Sequence, residues 1–260
     1  MKFAPSNLFS LEGKVAAVIG GSGTLGSVFC RALGSAGAKV AVIGRSEEKA
    51  GTVAKSLAEE GIQATGIAAD ATRKDRLEAA CDAIVEQFGR VDILVNAPGV
   101  NSSTPFFEIT EDEWQHIMDS NLKSVFLACQ VFGRRMIDQG EGGSIINISS
   151  ASSGPPLSKV FTYGVSKAGL NNLTQWLARE WAPYKIRVNA LAPGFFPAEQ
   201  NRKILSPERV ADILRHTPMG RMGEPEELAG TIIWLASDAA SGFVTGALIR
   251  VDGGFSAMTI

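Results

Sequence analysis

Short, mainly apolar runs of strand length recur along the chain and alternate with stretches of helical periodicity. The runs are Lys14–Ile19, Lys39–Ile43, Ile62–Ala68, Val91–Val95, Gly143–Ile148, Ile186–Leu191 and Ala247–Val251. A strand without polar alternation is buried on both faces, the condition of a parallel sheet covered by helices. The intervening segments read as helices: from the Gly-rich turn after Ile19 to about Ser35, from an N-cap at Ser46 to about Glu60, from about Arg73 to Phe88, around 111–138, from about Phe161 to Ala182, and at 225–236. Alternating β and α units joined by right-handed crossovers make a doubly wound α/β sheet. With 260 residues and no linker or low-complexity tract, the chain is expected to form one such domain. The irregular stretch is 193–223, where Pro193, Pro197, Pro207 and Pro218 surround a short helical pattern; this insertion is expected to act as a lid.

Charge and composition narrow the function classes. A formal net charge of -2 argues against nucleic acid as the main partner, since phosphate binding needs a basic surface. No window approaches twenty apolar residues, so no membrane span is expected. Met1–Leu11 lacks the apolar core of a signal peptide, and the expected location is the cytosol. Cys30, Cys81 and Cys129 have no paired spacing and fall in apolar helical patterns, so they read as packing groups. His116 and His216 have no companion ligands at metal spacing, so no metal is expected.

The turn after the first strand is Gly20-Gly-Ser-Gly23-Thr-Leu-Gly26, opening directly into a helix. Glycines there let the backbone approach a pyrophosphate, whose charge the helix N-terminus stabilises, as in Rossmann-type sheets. The second strand ends Gly44-Arg45, where a carboxylate would favour NAD. A planar cation at that place suits a 2′-phosphate and leans the reading towards NADP(H) over NAD(H); alternatively Arg45 is a solvated residue before the Ser46 cap. Asp70, after the third strand, either accepts from an adenine amino group or caps a helix start.

Tyr163 and Lys167 are four residues apart on a helix and share one face. A phenol of pKa about 10 is a poor acid or base at neutral pH. A fixed ammonium nearby favours the phenolate and is expected to draw that pKa down. Ser150 follows a strand at its carboxyl end, where open α/β sheets bind ligands, and its hydroxyl can orient a carbonyl oxygen. Such a Tyr–Lys pair alone is an ordinary surface pair. Here the cradle, the strand-end serine and the pair occur in the order one site requires.

On these residues the chain resembles a classical short-chain dehydrogenase/reductase over essentially its whole length. Gly20-x-x-x-Thr24-x-Gly26 is similar to the family's glycine motif, Asn96-Ala-Pro-Gly99 to its Asn-Asn-Ala-Gly motif, and Tyr163-x-x-x-Lys167 to its catalytic pair. Ser150 stands thirteen residues before the tyrosine, Asn121 matches the fourth member of the tetrad, and Pro193-Gly194 matches the segment beside the nicotinamide. The ending, from Trp234 to Gly254, is also similar. The resemblance implies that Tyr163 is the general acid in reduction, that Ser150 orients the substrate oxygen, that Lys167 lowers the tyrosine pKa and holds the nicotinamide ribose, and that Asn121 supports a proton-relay water. It implies cofactor contacts from Gly20, Ser22, Gly23, Thr24, Leu25 and Gly26, from Arg45, Asp70, Ala71, Asn96, Ala97 and Gly99, and from Tyr163, Lys167, Pro193, Gly194 and Phe196. Residues 144–150, 192–196, 199–202 and 216–221 look most like D-mannonate oxidoreductase (fructuronate reductase) and related sugar-acid reductases.

Three departures stand out. Thr24 replaces the middle cradle glycine, Pro98 removes a backbone donor from the second motif, and Ala198 lacks the hydroxyl often found after Pro-Gly. Candidate substrate contacts are Ser150, Ser152, Lys159, Gln200, Asn201 and Arg202, the cations serving a sugar-acid carboxylate. Phe161, Phe195 and Phe196 either wall the pocket or pack the lid base. Apolar excess on the helices around 111–138 and 161–182, including Phe126, Phe132, Leu173, Trp176 and Leu177, suits a second copy, and the resemblance implies a homotetramer. Two alternatives stay open: a 3-oxoacyl thioester reductase, and a non-catalytic NAD(P)-binding redox sensor.

Overall fold

A computed structural model describes residues 4–197 and 206–258. Seven parallel strands form one sheet in the order β3-β2-β1-β4-β5-β6-β7. They are β1 (Val15–Ile19), β2 (Lys39–Gly44), β3 (Ala64–Ala68), β4 (Ile93–Asn96), β5 (Gly143–Ile148), β6 (Ile186–Pro193) and β7 (Leu248–Val251). After the short turn α1 (Pro5–Leu8), the helices are α2 (Thr24–Ser35), α3 (Glu47–Glu59), α4 (Lys74–Phe88), α5 (Glu111–Met118), α6 (Ser124–Gln139), α7 (Phe161–Trp181), α8 (Pro207–His216), α9 (Ala229–Ala236) and α10 (Asp238–Ser241).

The unbroken apolar strands find their reason in two separate cores. In β1, Ala16 and Val18 face the cluster built with Phe29, Leu33, Leu57 and Leu235, from α2, α3 and α9. Val15, Ala17 and Ile19 face the opposite cluster, with Leu77, Ile84, Phe132 and Leu170, from α4, α6 and α7. Successive side chains point to opposite faces, and both faces are dry, so neither position tolerates a polar residue. Edge strands β3 and β7 are only half-buried. All three cysteines are free and buried; burial pushes the Cys30 and Cys129 thiols up, which keeps them inert.

Two details of chain direction place the site. Strand order reverses between β1 and β4, and a crevice opens there beyond the carboxyl ends of the strands. The helical stretch predicted around 111–138 is divided: a π-helical turn, Asp119–Lys123, separates α5 from α6 and carries Asn121. Such turns add one residue to the helical repeat and occur mostly at functional sites. In the 193–223 stretch, the short helical pattern is α8, N-capped by Ser206 Oγ, which accepts from Arg209 N at 3.3 Å.

Candidate active site

The turn after β1 is packed too closely for side chains at its glycines. Gly20 has φ +76, and a Cβ there would lie 2.7 Å from Ala97 O. A Cβ on Gly26 would lie 2.0 Å from Gly20 O, within the turn itself. The bare backbone leaves a cleft of about 700 Å³ at the start of α2. Gly20, Ser22, Gly23, Thr24, Leu25 and Gly26 line it together with Arg45, Ala97 and Gly99; Ser150, Tyr163, Lys167, Pro193, Gly194 and Phe196 close its other side. A second hollow, sharing Gly20, Ser22 and Arg45, is lined by Gly44, Asp70 and Ala71.

Asp70 lines the second hollow, whereas Asn96 lines neither. Asp70 forms an Asx turn, its Oδ1 accepting from Thr72 N at 3.0 Å and from Thr72 Oγ1 at 2.8 Å. These bonds hold its carboxyl below the usual carboxylate range, with Arg45 and Arg73 adding to the effect. Asn96 is fully buried beneath the cleft, its Nδ2 donating to Asn147 Oδ1 at 2.9 Å. Asn147 Nδ2 in turn donates to Thr174 Oγ1 at 2.9 Å, so the chain of bonds ties β4 and β5 to α7.

Helix α7 carries Tyr163 and Lys167 on one face, as their spacing requires. Lys167 is 3% exposed, and its Nζ donates to Ile148 O at 2.8 Å and Pro98 O at 3.3 Å. That nitrogen sits 5.7 Å from the centroid of the Tyr163 ring. The expected acidification of the phenol by the ammonium is not what the geometry produces. Burial pushes the Tyr163 pKa up, and only the hydrogen bond with Ser150 opposes it. Burial also pushes Lys167 down to about 8, so each group pays for lost solvation more than it gains from the other. Ser150 Oγ donates to Ser152 Oγ at 3.3 Å and accepts from Ser152 N at 3.1 Å. Asn121 is buried: its Oδ1 accepts from Val100 N at 2.8 Å, and its Nδ2 donates to Val100 O at 2.9 Å and Ser166 Oγ at 3.1 Å. Ser166 Oγ then donates to Tyr163 O at 2.7 Å, linking the π turn to the helix that bears the phenol.

The Lys167 shift has a measurable consequence. The folded chain releases this proton near pH 8 and the unfolded chain near 10.5, so between those values the unfolded state holds more protons and stability rises with pH. In urea unfolding from neutral pH to about pH 9.5, the wild type is expected to gain about 2 kcal/mol relative to Lys167→Met. The raised Tyr163 pKa acts in the opposite sense only above its ordinary value. A difference that stays flat with pH contradicts the buried ammonium.

Beside Ser150 and Tyr163 opens a further cavity of about 530 Å³. Ser152 and Lys159 line it, together with Asn101, Ser103, Phe195, Glu208, Arg209 and Asp212. Lys159 adopts φ +64, one of two non-glycine residues with positive φ among those described; such a conformation costs on the order of 1–3 kcal/mol. Gln200, Asn201 and Arg202 lie outside the described residues, as does Ala198. Phe196 is buried and packs near Gly223, although it also touches the cofactor-sized cleft. Phe195 stacks edge-on with Phe255 at 5.0 Å. Phe161 is exposed and packs with Phe106 at 4.8 Å.

A family model described as enoyl-(acyl carrier protein) reductase matches residues 21–256. The chain belongs to the short-chain dehydrogenase/reductase family. The 2-dehydro-3-deoxy-D-gluconate 5-dehydrogenase of Escherichia coli is 39% identical, over 96% of this chain and 98% of its own length. The 3beta-hydroxysteroid dehydrogenase 1 of Eggerthella lenta is also 39% identical, over 95% of each chain. Among solved structures, a gluconate 5-dehydrogenase from Burkholderia cenocepacia in complex with NADP and tartrate superposes with a TM-score of 0.94 at 35% identity, covering 98% of this chain and 100% of that one.

As a short-chain dehydrogenase/reductase, the protein is an oxidoreductase acting on CH–OH groups. Within this family the same degree of identity connects it to sugar-acid and to steroid enzymes, so ancestry alone leaves the substrate class to the cavity walls. Sequence reasoning missed Arg209, which lines the cavity beside Ser150 and Tyr163, and the Asn147–Thr174 bond to α7. Arg209 sits in the proline-rich stretch without a motif to mark it. Among the described residues, no group of three or more His, Cys, Asp or Glu could hold a metal ion, and no helix is long and apolar enough to cross a membrane.

Proposed function

We propose that this oxidoreductase interconverts a ketone and a secondary alcohol on a sugar acid, of the gluconate or fructuronate/mannonate type, with NADP(H) as cofactor. The observation that carries the reading is the wall beside Ser150 and Tyr163, where Asn101, Ser103, Ser152, Lys159, Arg209 and Asp212 present hydroxyl, amide and charged groups. A steroid or acyl chain would strip water from these groups without offering hydrogen bonds in return, at a cost of about 1–3 kcal/mol for each polar atom that lacks a protein partner. A polyhydroxy acid pairs with them. The names of the E. coli and B. cenocepacia relatives support the same substrate class.

The glycine turn suits a dinucleotide, because its tight packing, which a Cβ on Gly20 or Gly26 would break, holds the bare backbone and the N-terminus of α2 at the cleft. Gly20 to Gly26 would hold the pyrophosphate at the N-terminus of α2, Lys167 the nicotinamide ribose, and Ala97, Gly99, Pro193 and Gly194 the nicotinamide end. A bound nicotinamide cofactor supplies the hydride in reduction and accepts it in oxidation. Tyr163 gives its proton to the substrate oxygen in reduction; burial keeps the phenol protonated at neutral pH, which suits that role. The Ser150 hydroxyl orients the same oxygen. Asn121, through Ser166, fixes the start of α7 and supports proton relay.

Arg45 and Ser22 line the hollow beside β2, while a Cβ on Gly44 would lie 2.5 Å from Ser22 Oγ. Gly44 presents no carboxylate to oppose a 2′-phosphate, and Arg45 supplies a cation for one. Arg45→Ala is expected to raise KM for NADPH by roughly tenfold while changing that for NADH far less. Equal changes for the two cofactors would remove Arg45 from phosphate recognition. The substrate reading is tested by NADPH oxidation with ketonic sugar acids, hydroxysteroid ketones and 3-oxoacyl thioesters. Preference for either of the last two overturns it, and cofactor binding without turnover of any makes the protein a redox sensor. Phe126, Val165 and Trp176, exposed on α6 and α7, support the proposed homotetramer, whereas Phe132 is buried in the core.

A further inference from the structure

The acids and the cations of the cavity beside Tyr163 are not treated alike. Asp212 pairs with Arg215, and the Glu208 side chain bonds Ser206, so both acids of the wall are already engaged within their own helix. Arg209 and Lys159 line the same cavity, and among the described residues neither forms an ion pair with a carboxylate. Arg209 is nevertheless held in place: Nη1 donates to Ser158 Oγ at 2.7 Å and Nη2 to Ser158 O at 3.2 Å. These bonds use two of the five N–H groups of a guanidinium and fix its plane. They also attach α8 to the loop before α7, next to Lys159 with its positive φ. An anchored, planar cation and a neighbouring lysine, both lacking an acidic partner and lining the cavity of the reacting phenol, make a site for an anion.

We propose that Arg209, assisted by Lys159, holds the carboxylate of the substrate and so determines which acids present their carbonyl to Ser150 and Tyr163. The proposal rests on the sugar-acid reading above and identifies the group that recognises the acid. A guanidinium matches a carboxylate through two parallel N–H···O bonds, which orient the substrate as well as attract it. Lysine supplies charge without that plane. Arg209 is thus a specificity-determining residue, and its Ser158 contacts are positioning bonds.

The experiment compares a ketonic sugar acid with its uncharged carboxamide, using NADPH and the full-length chain. In Arg209→Gln, the ratio of kcat/KM for the acid to that for the amide is expected to fall by roughly tenfold or more, mainly through KM. Arg209→Lys should restore part of the ratio, because the charge remains while the paired geometry is lost. Lys159→Gln should lower it by a smaller factor. Ser158→Ala, which frees the guanidinium without removing it, should lower it less than Arg209→Gln does. A parallel loss for acid and amide in Arg209→Gln would make Arg209 a tie between α8 and the loop before α7 and overturn the proposal. No loss for either substrate would overturn it equally. Wild-type enzyme that reduces no sugar acid but turns over another ketone refutes the proposed function and this assignment together. Wild-type turnover of sugar acids with an unchanged ratio in Arg209→Gln refutes only the assignment.

Discussion

Tyr163→Phe is expected to lower kcat by about a thousandfold while NADPH still binds and the melting temperature stays close to that of the wild type. The ring that fills the wall beside Ser150 is kept, and only the hydroxyl that would exchange the proton is lost. No neighbouring group replaces it well. Ser150 Oγ is engaged with Ser152, and the Lys167 ammonium is turned to Ile148 O and Pro98 O. Single-turnover kinetics, together with titration of NADPH fluorescence, separate the loss of chemistry from a loss of binding. A variant that retains a tenth of wild-type kcat would remove the phenol from the chemical step. The prediction also bears on the direction of the tyrosine pKa. Burial keeps the phenol protonated, so reduction is expected to hold its rate through neutral pH and to depend on Tyr163 as a donor.

The second large effect belongs to the cradle. Gly26→Ala would put a Cβ 2.0 Å from Gly20 O and 2.9 Å from Gly21 Cα, and both are backbone atoms of the same turn. A flexible side chain could swing aside from such a contact; this backbone can relieve it only by opening the turn. We expect a stability loss of about 3 kcal/mol, at the upper end of overpacking costs, and a weakening of NADPH binding by about a hundredfold or more. Urea unfolding and NADPH titration read the two effects separately. Gly51→Ala is the matching control. Its Cβ would meet nothing within 4 Å on the exposed side of α3, so it is expected to stabilise the chain by roughly 0.5–1 kcal/mol. If Gly26→Ala behaved like Gly51→Ala, the close packing of the turn would be refuted.

Much of this architecture is legible in the sequence. The runs Lys39–Ile43 and Gly143–Ile148 coincide with β2 and β5 within one residue, and Ser46 caps α3 by accepting from Lys49 N as its position suggested. The helix from Phe161 ends one residue short of Ala182. These features follow from local rules of periodicity and capping, which need only neighbouring residues. The π turn at Asn121 was not legible, because inserting one residue into a helical repeat leaves the apolar pattern nearly unchanged. The sequence leaves two alternatives for Asp70, and in the structure it forms a turn with Thr72 while lining the hollow beside β2. Arg209 escaped notice because no spacing connects it to Tyr163; the two share a cavity only after α8 is bonded to Ser158.

By itself, the order of residues determined a parallel sheet under two layers of helices, a side-chain-free turn at the first strand end, and a phenol and an amine on one helical face. Each is a matter of periodicity or backbone freedom over a few consecutive positions. Only the tertiary structure decided the proton affinities of Tyr163 and Lys167 and the charge of the cavity beside them. Those depend on how far water is excluded, and on partners such as Ile148 O, Pro98 O and Ser158 that lie many residues away along the chain.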